Sequence, residues 1–129
     1  MLNRRTLLSL AAAMSFMPPA RAGATEIEFS EQTFAAAQKD GKRILVDVWA
    51  SWCPTCKAQG PLLKSQLAKP ENQDVVLLRV NFDTQLDVLK ALRVQQQSTL
   101  IMFKGDKETS RTVGDTSDDG IAQLIASAK

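Results

Sequence analysis

The sequence contains no histidine and only two cysteines, Cys53 and Cys56. That scarcity bears first on metal chemistry. A structural zinc site draws four ligands mainly from Cys and His. Beyond this one C-x-x-C pair, only carboxylates remain to complete such a set. Proline is also missing from everything after Pro70, so a cis peptide bond in that half would cost about 3–4 kcal/mol. Neither sign of charge dominates: 16 basic residues stand against 14 acidic ones, a net of +2. That balance gives no reason to expect nucleic acid or an anionic surface as a partner. Internal repeats are lacking, and no linker divides the chain. At 129 residues it suits one domain with a real core.

Long apolar runs are absent as well. The one at residues 6–17 is too short to span a bilayer as a helix. It follows Asn3-Arg4-Arg5 and precedes Ala20-Arg21-Ala22, an A-x-A cleavage pattern. Residues 1–22 therefore read as a signal peptide, with an uncleaved anchor as the alternative. The paired arginines suit twin-arginine export as well as the general secretory route. Cleavage would remove three arginines and no acid, leaving 13 basic groups against 14 acidic ones, a net of −1. The remaining residues, 23–129, form the expected domain. A periplasm or a similar space where disulfides can form is the expected location.

What is present centres on Ile44-Leu45-Val46-Asp47-Val48-Trp49-Ala50-Ser51-Trp52-Cys53-Pro54-Thr55-Cys56-Lys57. The β-branched first half reads as a buried strand with one carboxylate inside it. Pro54 suits the first position of a helix, where its missing N–H has no partner to lose. Cys53 then becomes the N-cap. The helix dipole and free backbone N–H groups there favour thiolate. Cys56 lies one turn further on the same face and is expected to be the less exposed of the two. A disulfide closing so short a loop restrains the unfolded chain little, so a purely structural bridge explains the pair poorly. Redox exchange explains it better: Cys53 attacks and Cys56 resolves.

This segment resembles the active-site stretch of thioredoxins. The resemblance continues through Pro61, which matches a helix-kinking proline, and through Arg79-Val80-Asn81-Phe82-Asp83 and Thr99-Leu100-Ile101-Met102-Phe103-Lys104, which match later strands. Val113-Gly114 matches the glycine that faces the active site. The resemblance implies an α/β thioredoxin fold, a single mixed central sheet with helices on both faces and an antiparallel hairpin at one end. It implies Asp47 as the proton acceptor for Cys56, with Arg79 where thioredoxins usually carry lysine. Burial would raise the Asp47 pKa and Arg79 would lower it; an exposed strand-end Asp47 is the alternative. Trp49 is expected in the core and Trp52 as a shield beside the thiols. Lys57 is either a thiolate-favouring charge or a solvated helix residue. Pro54 and Thr55 replace the Gly-Pro of typical cytosolic thioredoxins.

The expected activity is thiol-disulfide exchange, reducing disulfides in other exported proteins. Strongly oxidising relatives carry a histidine here, and this chain has none. The resemblance also suggests a membrane electron donor as partner. The chain is expected to be a monomer without a cofactor, resident metal or lasting membrane insertion. A binding module without turnover, or a holder of Cu(I) or an Fe-S group on the two thiolates, is the alternative.

One departure stands out. Thioredoxins place a cis-proline directly before the threonine of the fourth strand. Here that residue is Ser98, ahead of Thr99. The Gln97–Ser98 bond is expected to be trans, with the Ser98 hydroxyl near Cys53 and the docking role of Ser98, Thr99 and Gly114 altered. A degenerate site of poor activity is the bland alternative.

The remaining pattern predicts a strand over 26–29, a helix over 32–39 capped by Ser30, and a helix from 54 to about 69. A loop over 69–73 and a strand over 75–80 follow. Next come a helix capped by Thr84 with Leu86, Leu89 and Leu92 as its core stripe, strands over 99–103 and 108–113, and a last helix capped by Thr116 or Ser117.

Overall fold

The structure, a computed structural model, describes residues 26–129. The proposed signal peptide lies outside the described residues. Elements run β1 (Glu26–Glu28), α1 (Glu31–Lys39), β2 (Arg43–Trp49), α2 (Pro54–Leu67), a 3-10 turn (Pro70–Asn72), β3 (Val76–Asn81), α3 (Leu86–Ala91), β4 (Thr99–Lys104), β5 (Lys107–Val113) and α4 (Asp118–Ala126). They form one five-stranded sheet in the order β1-β3-β2-β4-β5. β3 pairs parallel with β1 and β2, while β4 pairs antiparallel with β2 and β5. The sheet is thus mixed, as expected.

Alternation along β2 assigns the two faces. Ile44, Val46 and Val48 point to a core shared with Phe29, Ala37 of α1 and Leu89 of α3. Leu45 points to the opposite core, with Leu63 and Leu67 of α2 and Ile121, Leu124 and Ile125 of α4. Asp47 is two residues from Leu45, so it lies on the side that α2 covers. The register then sets Arg79 of β3 beside Asp47.

Local chemistry explains the element ends. Ser30 caps α1 through Thr33 N–H, and the Thr33 side chain returns a bond to Ser30 N–H. Gly105 turns the β4–β5 hairpin with φ +58°. Ser117, rather than Thr116, caps α4. Three expectations need correction. Thr84 does not cap α3; Gln85 stands at that position, and its amide instead bonds Phe29 C=O and Asn81 N–H. Leu86, the first residue of α3, is 59% exposed, whereas Leu89 is buried. The 69–73 loop contains a 3-10 turn, and α2 stops at Leu67.

Candidate active site

β2 ends at Trp49, and a short turn delivers Cys53 to the start of α2. Cys53 is the N-cap, extended at φ −85° and ψ 111°, with Pro54 next in the helix. Its sulfur accepts the Cys56 N–H at 3.0 Å. The two cysteines form a disulfide with Cα atoms 5.3 Å apart. The expected order of exposure is reversed in this oxidised form: Cys53 is fully buried and Cys56 is half-buried. The reason is local. The N-cap sulfur is drawn down over the first turn of the helix by its bond to Cys56 N–H. Pro54 and Lys57 are exposed and Thr55 is half-buried.

Trp52 is 55% exposed, and its indole N–H donates to both carboxylate oxygens of Asp83, at 3.0 and 3.1 Å. A large ring is thereby pinned beside the cysteines. Trp49 is half-buried rather than a full core residue, and the Arg79 guanidinium carbon stands 4.3 Å from its ring centroid.

Asp47 is buried at 6% exposure, so it is no strand-end surface residue. Arg79 Nε donates to Asp47 Oδ2 at 3.2 Å, and Arg79 Nη1 donates to Glu26 Oε1 at 2.9 Å. Burial pushes the Asp47 pKa up, and Arg79 only partly opposes it. Asp47, Arg79, Glu26 and Lys64 line one cavity of about 420 Å³ together with Cys56. Asp47 and Cys56 therefore face a common space, in which a carboxylate can exchange a proton with the thiol directly or through water.

The loop before β4 borders the same end of the sheet. No cis peptide bond occurs among the described residues, so Gln97–Ser98 is trans as expected. Ser98 adopts the left-handed region at φ +60°, unusual for a residue with a side chain. Its N–H donates to Val48 C=O at 2.8 Å, and its C=O accepts Gly114 N–H at 2.9 Å. Gly114 itself has φ +72°, a conformation that favours glycine. With the cysteines joined as a disulfide, the Ser98 hydroxyl donates to Gln97 C=O. Thr99 is buried, and its hydroxyl donates to Gln96 C=O at 2.7 Å.

Sequence reasoning passed over Gln59. It is 1% exposed on α2, one turn after Cys56. Its Nε2 donates to Ser98 C=O at 3.2 Å and to Asp115 C=O at 3.0 Å. Two carbonyls need a nitrogen opposite them, which fixes the orientation of the amide. Its Oε1 is buried without a hydrogen-bond partner, a cost of about 1–3 kcal/mol. The signal was a polar residue on the apolar side of α2, between Cys56 and Leu63.

A dithiol at a helix N-terminus, with a buried carboxylate behind it on a mixed sheet, defines a protein of thiol-disulfide exchange. The thioredoxin family model matches residues 25–127, and the chain belongs to that family. It is similar to thioredoxin of Mycoplasma pneumoniae (strain ATCC 29342 / M129 / Subtype 1), at 30% identity over 102 residues, covering 79% of this chain and 97% of that one. The bifunctional thioredoxin reductase/thioredoxin of Mycobacterium leprae (strain TN) is 29% identical over 99 residues. That match covers 76% of this chain but only 21% of the longer relative. Among solved structures, Trxlp from Edwardsiella tarda EIB202 superposes with a TM-score of 0.76 at 40% identity, covering 78% of this chain and 98% of that one. The fold is the thioredoxin fold, and the protein is a thiol-disulfide oxidoreductase with a Cys53–Cys56 redox pair.

Proposed function

We propose that this protein works as a reductase of disulfides in exported proteins, in a bacterial periplasm. The observation that carries the exchange chemistry is the cavity shared by Asp47 and Cys56. Reduction of a target requires Cys56 to lose a proton, and a buried carboxylate of raised pKa is suited to take it. The Cys53 thiolate attacks one sulfur of the target disulfide, and the other target sulfur leaves as a thiolate. Cys56 gives its proton to Asp47 and attacks the Cys53 sulfur. The second target thiolate leaves, and the Cys53–Cys56 disulfide closes. Two electrons have moved to the target. A further donor, of the membrane electron carrier class, must return them.

Support for export comes from the charged, apolar and A-x-A pattern of residues 1–22. Cell fractionation of the full chain, with N-terminal sequencing, should find a processed protein starting at Gly23 outside the cytoplasm. An intact Met1 in the cytoplasm would overturn that part. For the reaction, insulin reduction driven by dithiothreitol should proceed with the wild type. Cys56→Ala should accumulate mixed disulfides at Cys53. Adducts forming instead at Cys56 in Cys53→Ala would exchange the two roles, and failure to turn over insulin would refute the reductase reading.

A further inference from the structure

We propose that Gln59 is a positioning residue that holds the two loops beside the redox pair against the cysteine helix. The proposal rests on the reductase reading above. A single amide donates to the carbonyl of Ser98, in the loop before β4, and to the carbonyl of Asp115, in the loop before α4. These loops are also joined to each other, through Gly114 N–H and Ser98 C=O. Gln59 therefore completes a closed set of bonds. Its backbone belongs to the helix that starts at Cys53, and its side chain fixes both loops relative to that start.

The Ser98 loop has particular need of such a hold. Ser98 stands at φ +60° with a trans bond before it. A serine peptide can rotate in ways that a ring-locked residue cannot. Three bonds restrain this one. Val48 C=O takes its N–H, and Gly114 N–H and Gln59 Nε2 share its C=O. The first ties the loop to β2 and the second ties it to its neighbour loop. Gln59 alone ties it to the helix that carries both cysteines. The buried, unpartnered Oε1 points the same way. An aliphatic residue of similar size would fill the site without stranding an oxygen, so what the amide adds is the two bonds of its nitrogen.

The consequence concerns docking rather than the sulfur chemistry. Gln59 has no bond to either sulfur or to Asp47 among the contacts that hold it. Removing its nitrogen should loosen the surface on which a protein substrate settles and leave intrinsic thiol reactivity alone. Gln59→Leu is the test, read with two substrates. The KM for insulin should rise at least fivefold, while reaction with the small disulfide 5,5′-dithiobis(2-nitrobenzoic acid) should stay within twofold of wild type. Hydrogen exchange at the Ser98 and Gly114 amides should speed up at least tenfold, with α2 amides unchanged. An unchanged insulin KM with unchanged exchange would overturn the proposal. So would an equal loss with both substrates, which marks a general structural defect. If wild type itself fails to reduce insulin, the reductase reading falls, and the exchange rates alone decide the role of Gln59. Gln59→Met, a near-isostere without a donor, should behave as Gln59→Leu does; wild-type behaviour from it would also overturn the proposal.

Discussion

Asp47 is costly to the fold, and the function proposed above gives it a use in the reaction. Its carboxylate is buried and its pKa is raised, chiefly by desolvation, with Arg79 as partial compensation. The folded protein therefore holds a proton on Asp47 at pH values where the unfolded chain has released it. Where the native state binds more protons, stability falls as pH rises. The loss begins near the ordinary aspartate value of 3.8 and is complete once pH passes the folded pKa. Asp47→Asn removes this dependence. The variant should melt at a higher temperature than wild type at neutral pH, and the gap should close toward pH 3. A gap that stays constant with pH would mean that Arg79 fully offsets the burial. In stopped-flow assays the same variant should release reduced target more slowly, because Cys56 has lost its proton acceptor. Asp47, Cys53 and Cys56 were all legible in the sequence, since a lone carboxylate in a β-branched run and a Cys-Pro helix start each have few explanations. The exposure of the two sulfurs was not, because it depends on how the N-cap side chain folds over its own helix turn.

Among the elements, α4 contains a glycine that ordinary helix rules would discard. Gly120 lies in the first turn, where replacement by alanine normally gains about 1 kcal/mol. Here a Cβ at that position would stand 2.7 Å from Asp115 Cγ and 2.6 Å from Ser117 Oγ. Asp115 accepts from Ser117 N–H at 2.8 Å and from its hydroxyl at 2.7 Å, and these bonds hold the Asp115 carboxyl below its usual range. Ser117 in turn caps the helix at Gly120 N–H. Gly120→Ala must displace the capping pair, so it should fail to stabilise and should lower the melting temperature. A rise in melting temperature would show that Asp115 swings aside freely. Cap and strand signals made most elements readable, as at Ser30 and the β-branched core of β2. α3 was less readable: Leu86, Leu89 and Leu92 have helical spacing, but spacing alone does not say that the first of them is left exposed.

For the molecule as a whole, the end of the sheet away from the cysteines is fastened by Arg43. It is 5% exposed at the start of β2. Its guanidinium donates to Asp74 at 2.9 Å, to Glu71 C=O at 3.1 Å and to Ile125 C=O at 3.0 Å. One side chain thus joins the sheet, the 3-10 turn and the last helix. Sequence inspection passes over it as part of a polar lead-in, since its partners lie 28 to 82 residues away. Arg43→Leu strands the buried Ile125 C=O and removes the bonds to Asp74 and Glu71, so it should lower unfolding free energy by about 1–3 kcal/mol in urea titrations. Redox activity at the other end should be kept at temperatures well below the melting point. A loss below about 0.5 kcal/mol would place Arg43 among ordinary surface residues.

The sulfur inventory has a chemical outcome for durability. Among the described residues the only thioether is Met102, and it has no exposed surface. Cys53 is sealed in the disulfide state, and Cys56 is already bonded to it. Among the described residues, peroxide meeting the oxidised pair finds no free thiolate to carry up the oxidation ladder and no open methionine to convert to sulfoxide. Intact-mass spectrometry of residues 23–129 after peroxide treatment should show no added oxygen while the disulfide holds. Oxygen atoms should appear only when the pair is reduced first.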